Sequence, residues 1–273
     1  MKLFYLIIFL FSEVFSGQIW TESLDEAKKL AIQNNKFIII DFNASWCSPC
    51  RQMESDFWYN SKFTSTLDKF IIVSVNIDFN KNIANYYGVT SIPNVKIIDV
   101  NGNLIHEFLG YINAEKTNLE LEGFPNNTED LYQTLVFEDK KKPTDEELLA
   151  LATSYQLLIQ KSTGIAKSSF EKLSNYNFNK CAKLTKKNHF AEISQLGILF
   201  NGVLNNKNKK TINSLDPLKF SDENKSFAYY ILAKAYYQED NNSEAEKQIE
   251  EILKLKSEQW VLAAQVLKKK YNE

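Results

Sequence analysis

Cysteine and histidine are scarce: three and two residues in a chain of 273. Three cysteines do not make a disulfide scaffold. A structural zinc site takes four Cys or His ligands. Cys47 and Cys50, two residues apart, supply half of such a site, but His106, Cys181 and His189 form no second pair. Glycine and proline are few, at 8 and 5, and 44% of the residues are hydrophobic, which is an ordinary globular composition. The formal charge is -2, so no basic excess invites nucleic acid, and none is expected as a partner. Long apolar runs are also lacking. The run Leu3–Phe11 is nine residues, too few to span a bilayer, and no other stretch is longer and as apolar.

That run follows Lys2 and precedes the small residues Ser16 and Gly17. Charged start, apolar core and small-residue site are the order of a secretory signal peptide. Residues 1–17 are therefore expected to be a signal peptide, and the protein to be exported, periplasmic or secreted. Outside the cytosol thiols meet oxidants. A single CxxC with one distant cysteine reads there as chemistry rather than stapling.

The remaining chain divides by its pattern into 18–139 and 140–273. In the first part Leu24, Ala27, Leu30 and Ala31 recur at helical spacing after Thr21 or Ser23, either able to cap. Lys36–Phe42 carries a continuous apolar run, as for a strand buried on both faces. Arg51–Tyr59 reads as a helix with Met53, Phe57 and Trp58 inward. Phe70–Phe79 is a second strand, Asn82–Gly88 a short helix, and Ile92–Val100 a third strand. Asn101-Gly102 marks a hairpin into a fourth strand, Leu104–Leu109. A loop follows, then a helix over Thr128–Phe137. Strands joined through helices imply parallel pairing, and the late hairpin adds an antiparallel pair.

Asp139–Thr144 is a charged linker ending in proline and threonine. Thr144 and Glu147 make a capping box. Beyond it only helical periodicity appears, over Glu146–Ile159, Ile165–Leu173, Phe190–Leu204, Ser226–Tyr237, Ser243–Leu255 and Glu258–Tyr271. Tyr229, Leu232, Ala233, Tyr236, Ala245, Ile249 and Ile252 fall at tetratricopeptide spacing. A weaker copy runs from Leu148 through Tyr155 and Phe170 to Leu173.

A CxxC at a helix start puts the first sulfur near unsatisfied N–H groups and the positive helix end. That favours thiolate, the nucleophilic form. Cys47 would attack, and Cys50, one turn on, would resolve the mixed disulfide. Pro49 suits a first turn, where no N–H is needed.

With these motifs in place, residues 18 to about 139 resemble the thioredoxin family. Asp41 stands six residues before Cys47, where that family has its buried aspartate. Trp46-Cys47-Ser-Pro-Cys50 matches WCxxC, and Tyr87-Gly-Val-Thr-Ser-Ile-Pro93 is similar to the segment ending in a cis-proline. Asn101-Gly102 and Gly110 match the family's turn and strand end. The resemblance implies a mixed sheet flanked by helices, with Cys47, Cys50, Asp41 and Pro93 catalytic. It also implies client contact through Trp46, Ser48, Pro49 and Ile92. A finer likeness is to periplasmic members, including the thioredoxin-like domain of the transmembrane disulfide reductase. That domain has a glutamate seven residues after its first cysteine, the position of Glu54 here, so Glu54 joins the catalytic set. Two departures stand out. Ser48 replaces the usual glycine, which leaves oxidant versus reductant open, and Ser74 stands where a lysine is common.

The expected fold is thus an α/β thioredoxin fold followed by an all-α, tetratricopeptide-like domain. The expected function is an exported thiol–disulfide oxidoreductase acting on client proteins. Its redox-active disulfide would serve in place of metal or organic cofactor, with a membrane electron donor or acceptor as candidate partner. The rival reading is a binding protein whose helical half does the work, with the redox half as scaffold or switch. Cys181 is expected to be a buried small hydrophobe, His106 to face solvent, and Trp58, Tyr59 and Phe63 to belong to the core.

Overall fold

The structure is a computed structural model, and it describes residues 18–135 and 142–272. The signal-peptide reading of residues 1–17 and the first half of the linker, residues 139–141, lie outside the described residues. Chain order begins β1 (Ile19–Thr21), α1 (Leu24–Asn34) and β2 (Phe37–Asn43). Next come α2 (Ser48–Met53), a π-helical turn (Glu54–Trp58), a 3-10 turn (Ser61–Phe63), α3 (Thr64–Leu67) and β3 (Phe70–Asn76). Then follow α4 (Lys81–Tyr86), β4 (Asn94–Ile98), β5 (Leu104–Leu109), α5 (Ala114–Leu121) and α6 (Glu129–Tyr132).

The five strands form one sheet in the order β1-β3-β2-β4-β5. β1 and β2 run parallel to β3, while β4 is antiparallel to both β2 and β5. This is the mixed sheet that the pattern implied. β2 lies in the middle with helices over both faces, which is why Phe37–Phe42 can be buried without alternation. Ser23 caps α1 by accepting from the Glu26 N–H, and Asn35 ends it in the left-handed conformation at φ 50°.

Several elements differ from the sequence reading. β1 is too short, at three residues, to show a period, and is held by pairing with β3. The stretch after β5 is not only loop: α5 forms there, capped by Asn113 accepting from the Lys116 N–H. α6 is a single turn, Glu129–Tyr132, where a longer helix was expected, and the last two residues of that expected helix, 136 and 137, lie outside the described residues. The helix after the CxxC changes to π geometry where the Tyr59 N–H reaches back to the Glu54 carbonyl at 3.1 Å. One extra residue in that turn lets consecutive Phe57 and Trp58 both enter the core.

The C-terminal half is all helix: α7 (Asp145–Gln160), α8 (Gly164–Leu184), α9 (Asn188–Leu204) and α10 (Asn208–Ser214), a 3-10 turn (Pro217–Lys219), then α11 (Asp222–Gln238), α12 (Asn242–Leu255) and α13 (Glu258–Asn272). The Thr144–Glu147 capping box is present at the start of α7. Both windows of repeat-like spacing form helix hairpins, α7/α8 and α11/α12, with Ala152, Tyr155, Ala166 and Phe170 buried in one and Ala233, Ala245, Ile249 and Ile252 in the other. In the second, Tyr237 takes the buried position and Tyr236 lies half-buried. α8 runs eleven residues past Leu173, and α10 escaped the periodicity because it is seven residues long.

The two halves share one hydrophobic core. Phe170 of α8 stacks on Phe37 at 5.5 Å between ring centroids and meets Phe124 at 5.7 Å. Gly123 permits this docking: a Cβ there would lie 2.2 Å from the Thr163 carbonyl oxygen. The Thr163 N–H donates to the Gly123 carbonyl at 3.1 Å. His106 is not solvent-facing as expected. Its ring bridges Glu120 of α5 at 2.8 Å and Ser169 of α8 at 3.3 Å. The cause is tertiary, since α8 covers the face of β5 that the local pattern left open.

Candidate active site: the Cys47–Cys50 pair

β2 ends at Asn43, and a short loop carries the chain to Cys47, the N-cap of α2. Cys47 has extended backbone, φ -79° and ψ 101°, so its side chain turns back over the helix start. Its sulfur accepts from the Cys50 N–H at 3.2 Å. Pro49 falls in the first turn, where its missing N–H costs nothing. The two cysteines are joined as a disulfide, S–S 2.02 Å. Both are largely buried, packed with Ala44, Ile77 and Ile92.

Ile92 is half-buried beside the disulfide, and the Ile92–Pro93 peptide is cis, as the resemblance implied. Gly110, at φ +74°, donates its N–H to the Pro93 carbonyl at 2.8 Å, which ties the end of β5 to this loop. Trp46 is 64% exposed, with its indole N–H donating to Asp78 Oδ2 at 3.0 Å. Ser48 and Pro49 are exposed next to it. The surface around the disulfide therefore offers apolar area from Trp46 and Pro49.

Behind Cys50 lies a cavity of about 270 Å³, lined among others by Asp41, Asn43, Cys50, Glu54, Tyr59 and Ser74. Asp41 is 6% exposed. Burial pushes its carboxyl up to about 6; the Asn43 amide opposes this by hydrogen bonding, and the Glu54 charge adds to it. Asn43 Nδ2 donates to Asp41 Oδ2 at 3.0 Å and to Ser74 Oγ at 2.8 Å. Glu54 is exposed on its outer side but contributes to the cavity wall from the start of the π turn. Burial, then the Glu54 and Asp41 charges, raise the Tyr59 hydroxyl as well.

The structure thus brings Cys47, Cys50, Asp41, Glu54, Ile92 and Pro93 to one end of the sheet. Trp58 and Phe63 are core, as expected, but Tyr59 is 66% exposed and belongs to the cavity rim. The sequence reading missed Asn43. Its signal was available: two residues after Asp41 on a strand, it shares that residue's face. Cys181 is buried, with its thiol near the Asp145 carbonyl at 3.3 Å. Among the described residues no group of three or more Cys, His, Asp or Glu could hold a metal.

A mixed five-stranded sheet with a CxxC disulfide at a helix start, a buried aspartate behind it and a cis-proline beside it is the architecture of a dithiol protein. The comparisons agree. A model described as a thioredoxin-like domain matches residues 24–124. Thioredoxin H4 of Arabidopsis thaliana is 32% identical over 105 residues, 38% of this chain and 80% of that protein. A thioredoxin of Alicyclobacillus acidocaldarius is 32% identical over 92 residues, 33% of this chain and 84% of that one. Among solved structures, the oxidised C-terminal domain of DsbD from Neisseria meningitidis covers 35% of this chain and 84% of its own at 23% identity and TM-score 0.30. The chain belongs to the thioredoxin family.

Proposed function

We propose that this protein is an exported thiol–disulfide oxidoreductase that exchanges disulfides with client proteins through Cys47 and Cys50. The observation that carries the reading is the Cys47–Cys50 disulfide at the start of α2, with Asp41 buried in the cavity behind Cys50. In the reducing direction Cys47 thiolate attacks a client disulfide. One client sulfur leaves as thiolate and a Cys47–client disulfide forms. Cys50 then gives its proton to the Asp41 carboxylate and attacks Cys47. The second client sulfur leaves and takes up a proton, so the client gains two electrons and the pair loses two. The oxidising direction is the same sequence reversed. Glu54 tunes Asp41 by its charge. The client segment lies across Trp46, Ser48, Pro49, Ile92 and Pro93.

Export is supported by the order of Lys2, the apolar run and Ser16-Gly17. The helical half is a tetratricopeptide-like arm that selects a client or a membrane redox partner. Its α8 docks at the Phe37 end of β2, away from the cysteines, so the arm and the dithiol can engage one partner together. The test is reduction of a disulfide-bonded client by the full chain. Cys47→Ser is expected to abolish turnover, and Cys50→Ala to leave a client bound through a reducible bond. Full turnover by Cys47→Ser would overturn the reading.

A further inference from the structure

We propose that Asn43 is a positioning residue of the dithiol exchange: its amide ties the Asp41 carboxylate to Ser74 and holds it facing the cavity behind Cys50. The inference rests on the oxidoreductase reading above. An amide nitrogen has two hydrogens to give. One goes to Ser74 Oγ at 2.8 Å, and the other is shared between Asp41 Oδ2 at 3.0 Å and the Asp41 carbonyl at 3.3 Å. Ser74, from the neighbouring strand in register with Asp41, is the fixed post on which this bridge hangs.

Among the described residues no other group nearby does this work. β3 presents neutral Ser74 and Asn76 to the cavity. β4 places Val95 opposite Asp41, while Lys96 pairs with Ile40, projects from the other face and is held by Glu107. From α2 and the π turn come Cys50, Arg51, Glu54 and Tyr59. Arg51, the one cation lining the cavity among the described residues, spends an N–H on the Ser45 carbonyl at 2.5 Å. Glu54 and Tyr59 bring negative charge or a hydroxyl, and burial favours the neutral acid. Asn43 Nδ2 can only donate, so it favours the carboxylate, the form that can accept the Cys50 proton. In the resolving step that proton passes from Cys50 sulfur to Asp41, the Cys50–Cys47 bond forms, and the Cys47–client bond breaks with its electron pair on the client sulfur.

The test uses the reduced full chain and two readouts. The first is the midpoint of the Asp41 carboxyl carbon followed by NMR against pH. The second is the acid limb of client turnover. Asn43→Ala should raise both together by roughly one pH unit, about a tenfold loss of rate on the acid side. Ser74→Ala keeps the donor but removes its post, and should shift both in the same direction by less. It stands in should Asn43→Ala fail to fold. An unmoved midpoint in the folded variants would overturn the proposal. So would a midpoint that moves while the turnover limb stays, since Asn43 would then hold a carboxyl the reaction does not use. A native chain without Cys47-dependent turnover would instead sink the oxidoreductase reading, and this proposal with it.

Discussion

The two ends of β2 are built from opposite materials. At the Phe37 end, rings from Phe124, Tyr132 and Phe170 close around a fully buried side chain and join the sheet to the helical half. At the Asn43 end, polar side chains face a cavity, and the disulfide sits above it. Each end also holds a buried aspartate. Asp99 follows Ile98, which pairs with Ile38, so it belongs to the Phe37 end. It is fully buried, yet it accepts from the Asn101 and Asn103 N–H groups and from the Asn103 amide, each at 2.9 Å, and so closes the β4–β5 turn. Among the described residues Asp41 has one side-chain donor, Asn43, and it has open space beside it. Burial raises the proton affinity of both, so burial alone does not mark function. Unfilled hydrogen-bonding capacity next to a reactive group does.

The contrast is testable by breaking either end. The largest effect is expected from Phe170→Ala, which empties the aromatic joint and should cost about 3–5 kcal/mol in urea unfolding. Turnover per folded molecule should hold, because the joint is remote from the cysteines. Asp99→Ala should come next, at roughly 2–4 kcal/mol, since it strands two turn N–H groups. Again the rate per folded molecule should be kept. A rate loss in either variant at full folding would show that the two ends are coupled.

Asp41→Asn should do the reverse. The unfolded carboxyl titrates near 3.8 and the folded one near 6. The folded state therefore binds the proton more tightly. Stability conferred by the protonated group is complete below 3.8 and is lost as pH rises through about 6. Removing the charge should thus stabilise the protein at pH 7 by roughly 2–3 kcal/mol and flatten stability against pH between 4 and 6. The same variant should slow turnover, on the order of a hundredfold, as loss of a positioned acid–base group does. Glu54→Gln is the mildest. Without that negative charge the Asp41 midpoint should fall by a fraction of a unit, read by carboxyl NMR, with little change in unfolding.

Most of the active end was legible in the sequence, because its chemistry needs particular residues at fixed spacing. Cys47, Pro49 and Cys50 announce a helix start, and the apolar run of β2 announces a central strand. Asn43 was not legible in the same way: its role depends on Ser74, 31 residues away, and on the register that sets Asp41 beside Ser74. The Phe37 end was harder still. Phe170 and His106 read as ordinary helix and strand residues, and their roles appear only when α8 lies on the sheet. Short elements such as β1 and α10 offer too few residues for a period. The π turn was read as plain helix because one extra residue leaves the apolar spacing of Met53, Phe57 and Trp58 intelligible.

The most direct measurement is the redox equilibrium of the Cys47–Cys50 pair in the full chain against reduced and oxidised glutathione, read by thiol alkylation and mass. The account expects one reversible two-electron transition that disappears in Cys47→Ser. A disulfide that never exchanges with glutathione while the chain stays folded would contradict it.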